Sequence, residues 1–190
     1  MRKAIMLAVI LLAAGLCVPG PLRSSGGAAA KAAPAPSASQ VVLSQWNDVG
    51  RKLIAMAEDF PEDKYDFKPV PGVRSFAEQM LHASNDMYFF TNPAKGQKPP
   101  SEEDPKRENY KSKAELVAFV KKCVEDGAAA IKSNGDNGMA EWFTDPASKQ
   151  KMQYSDLAYG LIEHPGEHYG QLVVYYRVSG LVPPESRPKK

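Results

Sequence analysis

Apolar residues recurring at alternating steps of four and three, in separate stretches of the chain, constrain the fold more than any other feature. Val42, Trp46, Val49, Leu53, Met56 and Phe60 follow this rhythm, which puts all six on one stripe of a helix. A stripe of that kind is buried by packing against other helices. Pro61 then stops the helix, because it has no amide to donate. Lys68-Pro69-Val70-Pro71-Gly72 reads as a rigid turn. A second helix follows, opened by a capping box in which Ser75 accepts from the third backbone amide and Glu78 reaches back. It buries Phe76, Met80, Ala83, Met87 and Phe90 at the same spacing and ends before Asn92-Pro93.

Residues 93–111 are rich in Pro, Lys and Glu and predict a long polar crossover. Ser112 and Glu115 form another capping box. The third helix carries Val117, Val120, Val124 and Ile131 and is expected to end around Ser133-Asn134-Gly135. The stretch up to Lys151 reads as a loop with Trp142 and Phe143 as aromatic anchor. Ser155 is the expected cap of a fourth helix with Leu157, Leu161, His164, His168, Leu172 and Tyr175 on one stripe. Gly180 closes it, with Pro183-Pro184 beyond. With no alternating strand pattern, the expected fold is all-α: a four-helix bundle with a long crossover between helices 2 and 3.

The bundle is expected to span residues 40–186, with a short tail at 187–190. Ahead of it, Arg2 and Lys3 precede the apolar run Ile5 to Leu16, and Ala28-Ala29-Ala30 offers a small-residue cleavage site. Residues 1–30 therefore read as a signal peptide, and the Gly/Ala/Pro/Ser-rich stretch 31–39 as a flexible linker. The run is short for a permanent membrane anchor. Leu16, immediately before Cys17, departs from the small residue that lipidation favours. Export to the periplasm or the extracellular space is the resulting expectation, with no stable membrane span after cleavage.

Removing residues 1–30 leaves 21 bases against 22 acids. That balance offers no cationic surplus for a phosphate backbone and argues against nucleic-acid binding. Cleavage also leaves Cys123 as the sole thiol. It lies in a helical run after Lys121 and Lys122 and reads as a packed structural cysteine.

His82, His164 and His168 are the only histidines. His164 and His168, four residues apart on the apolar stripe, project from one face about a turn apart. Two imidazoles so placed can share a metal ion; they can equally be packed rings with ordinary hydrogen bonds, and spacing alone leaves both open. His82 falls on the flank of its helix's stripe and is the candidate third nitrogen. Asp86, one turn on, reads either as an exposed helix charge or as the acceptor for the second N–H of His82. His164-Pro165-Gly166-Glu167-His168 also satisfies the H-x-x-E-H pattern of inverted zinc proteases, which the rest of the chain does not resemble.

Lys68-Pro69, Val73 through Met80 leading to His82, His164 through Leu172, and Tyr176-Arg177 through Pro184 together resemble the DinB-like (YfiT-like) family. The resemblance covers about residues 40 to 186. It implies a four-helix bundle in which His82, His164 and His168 bind one divalent ion, zinc or nickel. It further implies a metal-dependent hydrolase or thiol-type transferase acting on a small molecule of unknown identity, with a non-catalytic metal-binding or interaction module as the alternative. A homodimer is left open. Pro165 sits inside the expected fourth helix, where a kink beside the histidines is predicted.

Overall fold

A computed structural model of the chain describes residues 34–100 and 104–188. The expected signal peptide and residues 31–33 of the linker lie outside these. The described elements belong to one compact unit, Ala35–Lys190.

The first helix, α1, spans Ala38–Asp59, so it begins inside the stretch expected to be linker. Its stripe is buried as the spacing predicts, with Trp46, Leu53, Met56 and Phe60 almost fully enclosed. The second helix comes in two pieces, α2 (Phe76–Asn85) and α3 (Met87–Thr91), jointed at Asp86. The Ser75/Glu78 capping box opens α2 as expected. The crossover contains single turns of 3₁₀ helix at Pro93–Lys95 and Arg107–Asn109.

The third long helix, α4 (Lys113–Met139), starts at the Ser112/Glu115 box. At the expected end the chain does not leave the helix for good. Gly135 takes φ 57 and ψ −167, breaks the helix locally, and helical structure resumes to Met139. Only glycine enters that backbone region freely.

A small antiparallel hairpin follows, β1 (Trp142–Thr144) and β2 (Lys151–Gln153), where the sequence predicts only loop. Asp145 organises its turn by accepting from the backbone amides of Ala147 and Ser148. Three-residue strands are too short for alternation to show in sequence. Phe143 packs into the core as an anchor, whereas Trp142 is 66% exposed.

The last helix, α5 (Tyr154–Val178), is capped by Gln153 with Asp156, not by Ser155. The helix continues through Pro165. Proline there leaves the Leu161 carbonyl without its amide partner and crowds it with the ring. At the far end, Arg187 of the expected tail is held to the bundle by the Asp59 carboxylate at 2.7 Å.

Among the described residues the architecture is therefore all-α, a four-helix bundle with one hairpin appended. α1 packs along α4, and α2 lies against both α4 and α5. Trp46 shows how close α1 and α4 come: its ring covers Gly127, where a Cβ would stand 2.5 Å from the indole, and its N–H donates to the Val124 carbonyl at 2.9 Å. An aromatic cluster closes one end, with Phe60 and Phe76 stacked at 3.8 Å and the Tyr176 ring edge-on to both. Phe76 meets Tyr175 near the end of α5 while His82 meets His164 and His168 further back, so α2 and α5 run antiparallel. That seam positions the histidines. Among the described residues, no helix is long and apolar enough to cross a membrane.

Candidate metal centre

Two helices supply the three imidazoles. His164 and His168 come from successive turns of α5, with ring centroids 4.4 Å apart and their Nε2 atoms 3.2 Å apart. His82 comes from α2, its ring centroid 4.7 Å from that of His168 and 5.6 Å from that of His164. One nitrogen from each ring lies within 4.8 Å of the others. The structure thus brings together all three histidines, including the one that its own helix stripe placed on a flank. A flank position suffices because the site lies in the seam between helices rather than in the bundle's centre.

The histidines' other neighbours fix the rings. Asp104, from the crossover, stands with Oδ1 2.6 Å from His82 Nδ1 and Oδ2 2.8 Å from Arg74 Nε. Burial alone would raise the Asp104 carboxyl, but the hydrogen bonds from His82 and Arg74 outweigh it and hold the group below the ordinary carboxylate range. This corrects the role expected for Asp86, which lies 3.5 Å from His82 Nδ1 and closer to His164, with Oδ2 3.2 Å from Nε2. Asp86 is largely enclosed rather than a free helix charge.

His168 is buried, and its Nδ1 faces two carboxamides: Gln79 at 2.5 Å and the Gln171 Oε1 at 3.2 Å. Burial, and then the neighbouring rings of His164 and His82, lower its pKa from 6.5 to about 4. The ring is therefore neutral at pH 7, the form that ligates metals.

The donor set fits a divalent ion. Three nitrogens about 2.0–2.1 Å from a tetrahedral ion stand roughly 3.3–3.4 Å apart, close to the 3.2 Å between His164 and His168. The accepting carboxylate at His82 Nδ1 leaves that ring's Nε2 lone pair free for the ion. For His168 to ligate through Nε2, its Nδ1 must carry the proton. Gln171 already offers an oxygen there, and that oxygen also accepts from the Gln79 amide. Glu163 and Glu167, which flank the paired histidines in sequence, are exposed.

Asp104, Gln79, Gln171 and Arg74 were not singled out by spacing. The two glutamines carried a signal: each lies one helical turn from a histidine, at i−3 or i+3, on a face otherwise apolar. Asp104 carried none, because the crossover has no periodicity to set it against.

An all-helical bundle with imidazoles converging from its second and last long helices is the class that fold and site define. Residues 45–172 match the DinB superfamily, and the chain belongs to it. No curated protein matches the chain at a significant level.

Proposed function

We propose that this chain is an exported metal-binding protein that holds one divalent ion, zinc or nickel, through His82, His164 and His168, and that it is a metal-dependent hydrolase acting on a small molecule. The observation that carries the reading is the convergence of three imidazole nitrogens from distant stretches of chain within 4.8 Å. Membership of the DinB superfamily and the fit of the donor spacing support it. When bound, the ion supplies Lewis acidity, polarising a carbonyl and lowering the pKa of a water or thiol nucleophile beside it. The chain's own residues do the rest. Asp104 holds the Nδ1 proton of His82, Gln79 and Gln171 hold His168, and Asp86 is the carboxylate beside His164 placed to accept a proton from a nucleophile. Hydrolysis is preferred to thiol transfer because low-molecular-weight thiols are cytosolic cofactors and the leader directs the chain out of the cytosol.

A second reading rests on the same Asp86. Its oxygen, 3.2 Å from His164 Nε2, could serve as a fourth ligand and close the site, as in structural or sequestering centres. Elemental analysis of the purified chain should give about one zinc or nickel per molecule by the three-nitrogen argument, and His164→Ala should lose it. Unchanged metal content in His164→Ala would reject the site. Asp86→Asn separates the two readings: an open catalytic site keeps its metal and loses ester or amide hydrolysis, whereas a closed site loses metal. N-terminal sequencing of secreted material tests the leader, which should be absent.

A further inference from the structure

Beside the histidines the α2–α5 seam widens into a cavity of about 710 Å³. Val70 and Val73, from the turn before α2, face Val174 and Val178 of α5 across it. These four valines are half of the eight exposed large hydrophobic side chains among the described residues. Scattered apolar residues on a surface need no explanation, but their concentration around one hollow of ligand size does. Buried Gln79 and exposed Gln171, the carboxamides that contact His168 Nδ1, also line the cavity. These two carboxamides stand between the hollow and the histidines, none of which lines it.

Its charge balance narrows the occupant. Arg74 is the one charged residue lining the cavity, and its Nε is committed to Asp104 at 2.8 Å. The Tyr175 hydroxyl is committed as well, donating to the Arg74 carbonyl at 2.6 Å. Asp104 counters the Arg74 charge, and the remaining polar side chains in the lining, Tyr175, Gln79 and Gln171, are neutral. We infer that this cavity binds the apolar arm of a neutral small-molecule ester or amide, with the ligand's carbonyl group directed toward Gln79 and Gln171. The role of that arm in a substrate rests on the metal-centre reading; the binding of the arm does not.

The test uses the purified chain and the neutral fluorescent probe N-phenyl-1-naphthylamine, titrated with and without a chelator. Saturable binding of about one probe per chain is expected for a single cavity of this size, unchanged by the chelator and by His164→Ala. Val174→Asp and Val178→Asp, each at a half-exposed position that tolerates a polar residue in the fold, should each weaken binding about tenfold or more, because a buried valine contact is replaced by a desolvated charge. Tyr159→Asp, an exposed apolar position elsewhere on α5, should leave it unchanged. Circular dichroism confirms that the variants fold. Absence of saturable binding, or binding by both valine variants as tight as that of the native chain, overturns the inference. So does a result in which the valine substitutions change only the sedimentation of the chain, since the face would then be a contact between copies.

A second arm uses metal-loaded protein and 4-nitrophenyl esters from acetate to hexanoate. Hydrolysis that rises with acyl length in the native chain, and loses that preference in Val174→Asp, supports both readings together. Probe binding without any ester hydrolysis supports the cavity and counts against the hydrolase alone.

Discussion

Cys123 and His168 both lie buried on long helices, and burial pushes both toward their neutral forms, yet their surroundings differ in kind. The Cys123 thiol is raised to about 12 by burial. Its sulfur stands 3.9 Å from the Tyr88 hydroxyl, which donates to Asp126 at 2.5 Å, and Asp126 also takes the Lys122 ammonium at 2.7 Å. Each donor there meets an acceptor of the protein's own, and the sequence ends in a closed ion pair. Around His168 the pattern is the reverse: its Nε2 faces the Nε2 of another imidazole at 3.2 Å, and a third ring closes in from α2. Burial makes a group inert when its partners complete it. Like donors forced to face one another leave a common point that a cation can complete.

The sharpest way to break this contrast is metal content. His168→Ala should reduce occupancy from about one ion per chain to near zero, because two ligands rarely retain a divalent ion through purification. Cys123→Ser should leave it unchanged. Elemental analysis of the two variants side by side checks this, and loss of metal from the serine variant would show that the thiol is not the bystander its surroundings make it.

Reactivity of the thiol comes next in size. A value raised from 9.0 to about 12 leaves roughly a thousandth of the ordinary thiolate at pH 8. Alkylation by iodoacetamide should therefore be about a thousandfold slower in the folded chain than in denaturant. Rates within a factor of ten of each other would mean that the Cys123 environment opens in solution.

The difference between these two regions also governs how far each was legible in sequence. Helix stripes and caps are local patterns, so α1, the start of α2, the start of α4 and the burial of Cys123 could be read from spacing. The pairing of His164 with His168 could be read in the same way, being one turn of one helix. What brings His82 to them is the antiparallel packing of α2 on α5, a long-range fact that no periodicity records. Only the family resemblance implied it. Asp104 was invisible because its role depends on where an aperiodic crossover happens to return. The hairpin after α4 was missed because strands of three residues give too few positions to alternate.

Metal-stripped protein sharpens the contrast through pH. His168 titrates at about 4 when folded against an ordinary 6.5. Between those values the unfolded chain takes up a proton that the folded chain refuses, so stability is at its full value above pH 6.5 and falls as pH drops toward 4. The loss assignable to this group is up to about 3 kcal/mol, from a shift of about 2.5 units at about 1.36 kcal/mol each. Urea unfolding of chelator-treated protein across this window should show the slope, and His168→Gln should flatten it. The Asp59 carboxyl, held below its ordinary range by Arg187, changes stability in the same direction but at lower pH, and its contribution should survive in the variant. An unchanged slope between pH 6.5 and 4 in His168→Gln would mean that the ring is not proton-poor in the folded state.

The smallest expected effect distinguishes a positioning residue from a structural one. Asp104 reaches the seam from the crossover and joins Arg74 to His82. In Asp104→Asn the shape is kept but the charge is lost, and the amide can present N–H where His82 needs an acceptor. The ring's proton is then no longer fixed on Nδ1, and the Nε2 lone pair is offered to the ion only part of the time. Zinc affinity, measured by competition with a chromophoric chelator, should fall about tenfold, at the lower end of what loss of such a partner costs. Asp104→Glu, which keeps the carboxylate, should recover much of it. Because Asp104 is partly open to solvent, its pairing with Arg74 contributes little to folding, and the melting temperature of the metal-free asparagine variant should stay close to that of the native chain. A fall in melting temperature without a fall in metal affinity would assign Asp104 to the crossover's architecture rather than to the imidazole it touches.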